Sequence, residues 1–161
     1  MKPMFDFLKE MYFPGYMGLL TEKYDSRSGV FDFKPIEPPV FRHAPYLTPR
    51  GAHIFISQAG YCLVENVLAQ GGFDMTAEEF RELSTDGRMK IVELNQRYRR
   101  ELPLDRDLKG RMELTNVRWG KLPIVKIDFN IGERAITGSL VGVLAPRPMP
   151  QMNADILAPR H

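Results

Sequence analysis

Between Ala52 and Gln70 the apolar residues fall nearly all round a helical cylinder, whereas from residue 88 onward they alternate with polar ones. The first pattern predicts a helix buried on most sides. The second predicts strands, over 88–101, 110–119, 122–131 and 134–145. The segments PLDRDLKG and WGKLP break these strands, and FNIGERA carries a tight-turn signal between the last two. Upstream, residues 17–25 and VFDFKPI read as two strands around the turn SRSG. Residues 4–12 read as a short amphipathic helix stopped by Pro14 and Gly15. Residues 37–50 hold four prolines and predict an irregular connection. Gly71 and Gly72 end the long helix. Thr76 with Glu79 forms a capping box that opens a short helix through about Leu83. Strands in runs beside segregated helices predict an α+β domain, with one apolar helix facing one curled antiparallel sheet. It is expected to occupy residues 1–146, followed by a proline-rich, flexible tail over 147–161.

The chain has 161 residues, the size of one domain with a real core. Its apolar and charged fractions, 43% and 26%, are those of a soluble globular protein rather than a disordered one. A net charge of +2 gives no electrostatic case for nucleic acid. The single cysteine, Cys62, excludes an internal disulfide and a multi-cysteine metal site. It lies in the apolar run and reads as a small buried hydrophobe, which fits a reducing cytoplasm. Asp6, Lys9 and Glu10 interrupt the N-terminal apolar residues, against a signal peptide. No apolar run reaches the roughly 20 residues that would span a bilayer. No cofactor and no metal is expected.

The long helix carries polar residues in one stripe. At 100° per residue with Ser57 at zero, Tyr61 lies at about 40°, Glu65 at about 80° and Gln58 at about 100°. The spacing places Ser57 and Gln58 near the helix N-terminus, where free N–H groups can hold a carbonyl oxygen or a developing oxyanion. The stripe can equally face solvent or a subunit interface, with Ser57 as a cap. The preceding loop adds His43, Tyr46, Arg50 and His53, and a His or Tyr can move a proton near neutral pH. Farther on, RYRRELPLDRDLKGR contains Arg97, Arg99 and Arg100, candidates to dock phosphates, although Glu101, Asp105 and Asp107 interleave as on a solvated face.

The stretch HAPYLTPRGAHIFISQA resembles the active-site segment of hotdog-fold proteins, the superfamily of acyl-thioester dehydratases and thioesterases. His43, Pro45, Pro49 and Gly51 fall near the matching places, and the dehydratase acid falls on Gln58. Residues 12–145 resemble the FcoT-like long-chain acyl thioesterases, a group also linked to glycine addition onto enoyl thioesters. Tyr12 and Tyr46 fall near its tyrosine positions, while Phe55 and Val64 stand at its asparagine places.

The resemblance implies an antiparallel sheet of about five to six strands around the helix. It also implies a homodimer or higher even oligomer, an acyl-CoA or acyl-carrier-protein substrate, and no membrane or nucleic-acid partner. The expected activity is hydrolysis of a fatty acyl thioester. Tyr46, His53, Gln58, Ser57 and His43 are the expected catalytic residues, and Tyr12, Arg50, Tyr61, Arg97, Arg99 and Arg100 the expected substrate-binding residues. Phe55, Leu63 and Val67 are candidates to line an acyl tunnel. Dehydration or conjugate addition on the same scaffold, and a non-catalytic acyl-binding module, are the alternatives.

Overall fold

The computed structural model describes residues 8–9, 11–12, 15–36, 45–71 and 73–144. His43, most of the first predicted helix and the C-terminal tail lie outside them. The described elements are β1 (Leu19–Asp25), β2 (Ser28–Phe33), α1 (Pro49–Ala69), α2 (Ala77–Thr85), β3 (Met89–Tyr98), β4 (Leu108–Arg118), β5 (Ile124–Ile131) and β6 (Ile136–Leu144). The strands form one antiparallel sheet in the order β1-β2-β4-β5-β6-β3. β3 therefore leaves its sequence neighbours and closes the far edge beside β6.

Alternation explains the sheet's two faces. In β4 the residues Leu108, Gly110, Met112 and Leu114 are buried, and in β5 so are Val125, Ile127, Phe129 and Ile131. These line the face that meets α1. Phe55 of α1 stacks on Phe33 with ring centroids 3.6 Å apart and meets Phe31 edge-on. Its ring lies over Gly110, where an added Cβ would come within 2.6 Å of it. Leu63 and Val67 are buried in the same core. Register shifts in β1, β3 and β4 bend the sheet around the helix.

The start of α1 differs from the sequence expectation. It begins at Pro49, three residues before Ala52. Thr48 caps it, accepting from the Gly51 N–H at 3.3 Å. Proline lacks only an N–H that the first turn would leave unpaired, so at N1 it opens a helix instead of breaking one. The strand expected over 88–101 ends at Tyr98, because the chain then peels away. Leu102 accepts from the Leu47 N–H, and Leu104 donates to the Pro45 carbonyl. These bonds tie the arginine-rich connection to the loop that leads into α1.

Candidate functional site

Because α1 starts early, Ser57 and Gln58 sit about two turns inside it and are not at its N-terminus. The free N–H of the first turn belongs to Arg50, which has no hydrogen-bond partner among the described residues. Pro49 has no N–H, and the Gly51 and Ala52 N–H groups are both taken by Thr48.

The polar stripe divides in two. Gln58 is fully buried, and its amide is committed at both ends: Oε1 accepts from the Gly18 N–H at 3.1 Å, and Nε2 donates to the Tyr16 carbonyl. It clamps the entry to β1 against the helix. Two turns on, the buried Glu65 pairs with Arg81 of α2. Its second oxygen, Oε2, has no partner among the described residues. Burial raises the Glu65 pKa, Arg81 opposes that, and nearby Glu22 adds to it. Between them Cys62 shares hydrogen bonds with Glu22 and Tyr24, and burial pushes its thiol up, so it stays protonated at neutral pH. Cys62 is thus a core residue.

The opposite side of α1 is open. Arg50 and His53 line a groove of about 570 Å³ together with Pro49 and with Leu94, Gln96 and Tyr98 of β3. The His53 side chain is exposed, yet partial desolvation lowers its pKa from the ordinary 6.5, leaving the imidazole neutral near pH 7. One turn farther, half-buried Ser57 hydrogen-bonds the Tyr12 phenol. Burial raises the Tyr12 pKa, with Tyr61 beside it, and burial likewise raises that of Tyr61. Tyr61 also packs on Phe80 of α2. Tyr12, Ser57 and Tyr61 therefore form a phenol-and-hydroxyl cluster that begins one turn along α1 from His53, outside the groove's lining.

The other expected residues lie apart. Tyr46 is 41% exposed in the loop before α1, where its backbone bridges to Pro103. Arg97 lines a polar groove of about 810 Å³ with Arg111 and Arg134, on the sheet face away from α1. The Arg99 N–H donates to the Ala135 carbonyl. The Arg100 guanidinium donates to the Gly132 carbonyl at 2.7 Å and reaches Glu133. Leu94, Gln96 and Tyr98 were not anticipated from the sequence. Their period-two spacing in β3 puts them on one face, but only the placement of β3 at the sheet edge beside α1 brings that face to His53.

Among the described residues, no group of three or more His, Cys, Asp or Glu side chains is placed to hold a metal ion. No described helix is long and apolar enough to cross a membrane.

No protein-family model matches the sequence, and no curated protein matches it significantly. Solved structures do match the fold. A hypothetical thioesterase from Streptococcus pneumoniae, crystallised with coenzyme A, aligns at TM-score 0.57 and 11% identity, over 91% of this chain and 99% of its own. A protein assigned as a thioesterase from Syntrophus aciditrophicus aligns at 0.54 and 16%, over 88% and 96%. AziG from S. sahachiroi aligns at 0.52 and 12%, over 79% and 90%. With six antiparallel strands in one curved sheet around α1, the chain has the α+β hotdog fold of thioesterase-superfamily proteins.

Proposed function

We propose that this protein is an acyl thioesterase whose reaction takes place in the groove between the first turns of α1 and strand β3. The observation that carries the reading is the shared groove: His53, whose pKa is lowered by partial burial, lines it together with Arg50, whose N–H at the positive end of α1 has no partner among the described residues. The thioester carbonyl oxygen is held by that helix end. His53 takes a proton from water as the water oxygen adds to the carbonyl carbon. The carbon–sulfur bond then breaks, and the imidazolium returns the proton to the departing thiolate. Atoms balance as one water consumed, one acid and one thiol formed.

Tyr12, Ser57 and Tyr61 border the acyl chain in this reading, and Tyr46 belongs to the loop that leads into α1. The substrate is an acyl-CoA or an acyl carrier protein, consistent with the coenzyme A present in the Streptococcus pneumoniae relative's crystal. Arg97, Arg99 and Arg100 are its proposed phosphate contacts. The groove borders β3, a sheet-edge strand with Val92 60% exposed. Pairing of two β3 edges would build a homodimer with a groove at each side of the seam. Gln58 speaks against dehydration: it stands at the dehydratase acid's place, has no proton to give, and spends both amide ends on backbone.

Incubation with acyl-CoA, enoyl-CoA and 3-hydroxyacyl-CoA tests the reading. Thiol release from acyl-CoA supports it. A mass change without thiol release shows dehydration or addition. Tight binding without turnover shows a non-catalytic acyl-binding module.

A further inference from the structure

The groove contains a polar pair that the proposed reaction has not yet used. Gln96 and Tyr98 alternate along β3 and project to the same face as Leu94, toward α1 and His53. The Tyr98 hydroxyl donates to Gln96 Oε1 at 2.7 Å. That bond has two chemical consequences. It spends the tyrosine proton on the amide oxygen. It also fixes which way the amide points, so Nε2 and its two N–H groups turn away from Tyr98. Gln96 is half-buried, and Nε2 has no partner among the described residues. The floor beneath is built to match: Gln96 lies opposite Gly138, over which the Phe129 ring is placed and where any Cβ would collide with the Asn95 carbonyl.

Resting on the proposed thioester reaction, we infer that Gln96 is the side chain that holds the acyl carbonyl oxygen in this groove, with Tyr98 as the residue that orients it. A neutral amide suits the position. It donates to an oxygen that gains negative charge, yet it adds no cation that would disfavour protonation of His53 as the base. Gln96 would act from the strand side and the Arg50 N–H from the helix side, so that the carbonyl is held between the two layers of the fold. A thioester sulfur, a poor acceptor, would not compete for the amide.

The test uses the whole chain and two readouts. The first is thiol release from a series of saturated acyl-CoAs, from acetyl to palmitoyl. Gln96→Leu is expected to lower kcat about 100-fold with KM changed little, the usual effect of removing one oxyanion donor. Tyr98→Phe, which frees the amide to rotate, is expected to lower kcat by a smaller factor. The second readout needs no turnover. An acyl-CoA analogue with CH₂ in place of sulfur carries a ¹³C-labelled ketone, and its ¹³C resonance reports hydrogen bonding to the carbonyl.

The wild-type protein and His53→Ala should shift that resonance downfield, and Gln96→Leu should not. If Gln96→Leu keeps both the wild-type kcat and the shift, the assignment of Gln96 is overturned while the thioesterase reading stands. If no acyl-CoA releases thiol yet the shift is present and depends on Gln96, the reaction reading fails and the carbonyl site stands. If the wild-type protein neither releases thiol from any acyl-CoA nor binds the analogue, both are overturned.

Discussion

His53 and Gln58 lie on the same helix little more than one turn apart, and the fold treats them in opposite ways. Gln58 faces inward, is fully buried, and has its amide consumed by the Tyr16 carbonyl and the Gly18 N–H. His53 faces outward into a groove and is exposed. The inner set, Gln58 with Glu65 and Arg81, ties β1 and α2 to the helix. The outer set, Arg50 and His53, leaves polar groups available to a ligand. Polar residues inside a fold cost free energy unless partnered, so an inner set is read by its partners and an outer set by what it leaves free.

The sharpest way to break this comparison is at Arg81. Arg81→Met strands the Glu65 carboxylate, which is 3% exposed, and should cost about 3–5 kcal/mol. The checking measurement is urea denaturation. The double variant Glu65→Gln/Arg81→Met should recover most of the loss, and equal losses in both would show that the charge is not the cause. Gln58→Ala comes next. It leaves a part-buried carbonyl and a buried N–H without partners, for about 2–4 kcal/mol of stability.

On the open side, His53→Ala should change stability by less than about 0.5 kcal/mol. It should nevertheless lower thiol release by about 10²–10⁴-fold. A large stability loss with unchanged turnover would reverse the assignment of the two sets.

Two pH dependences distinguish the sets further. The folded Glu65 pKa is raised, so the folded chain holds this proton more tightly than the unfolded one. Glu65 therefore favours folding below its ordinary 4.5, and that contribution is lost as pH rises through the raised folded value. Relative to Glu65→Gln, the wild-type chain should lose stability on going from about pH 4 to 7, as urea midpoints would show. His53 runs the other way. Its lowered pKa means that thiol release should fall only as pH drops below 6.5, through the folded value. An acid limb above 6.5 would remove His53 as the base. The smallest effect is expected at Ser57→Ala, within about 0.5 kcal/mol in stability, since Tyr12 remains packed beside Tyr61.

Much of the fold was legible from local pattern. The hairpin turn after β1, the capping box at Thr76 and Glu79, and the four later strands all follow from period and turn chemistry. One exception, the early start of α1, arose because residues 37–50 read as an irregular proline-rich connection, whereas Pro49 with Thr48 as cap is a helix starter; another, the end of β3 at Tyr98, arose because the chain there turns to bond the loop before α1. The candidate site was legible only in part. The helical wheel joined Ser57, Gln58, Tyr61 and Glu65 in one stripe, but a wheel states direction and not what lies there. The partners that turned Gln58 and Glu65 into structural residues come from Tyr16, Gly18 and Arg81, remote from the stripe or on another helix.

The sequence by itself determined the elements, their order and the apolar face each must bury, because these depend on side-chain period and on nearest-neighbour turn and cap chemistry. Which polar groups are spent and which remain free was decided only by the tertiary structure. Strand β3 crosses to the sheet edge beside β6 and brings Leu94, Gln96 and Tyr98 to His53, while the segment before β1 folds back to consume Gln58. Both outcomes rest on contacts between residues about 40 apart in the chain, which no local periodicity encodes.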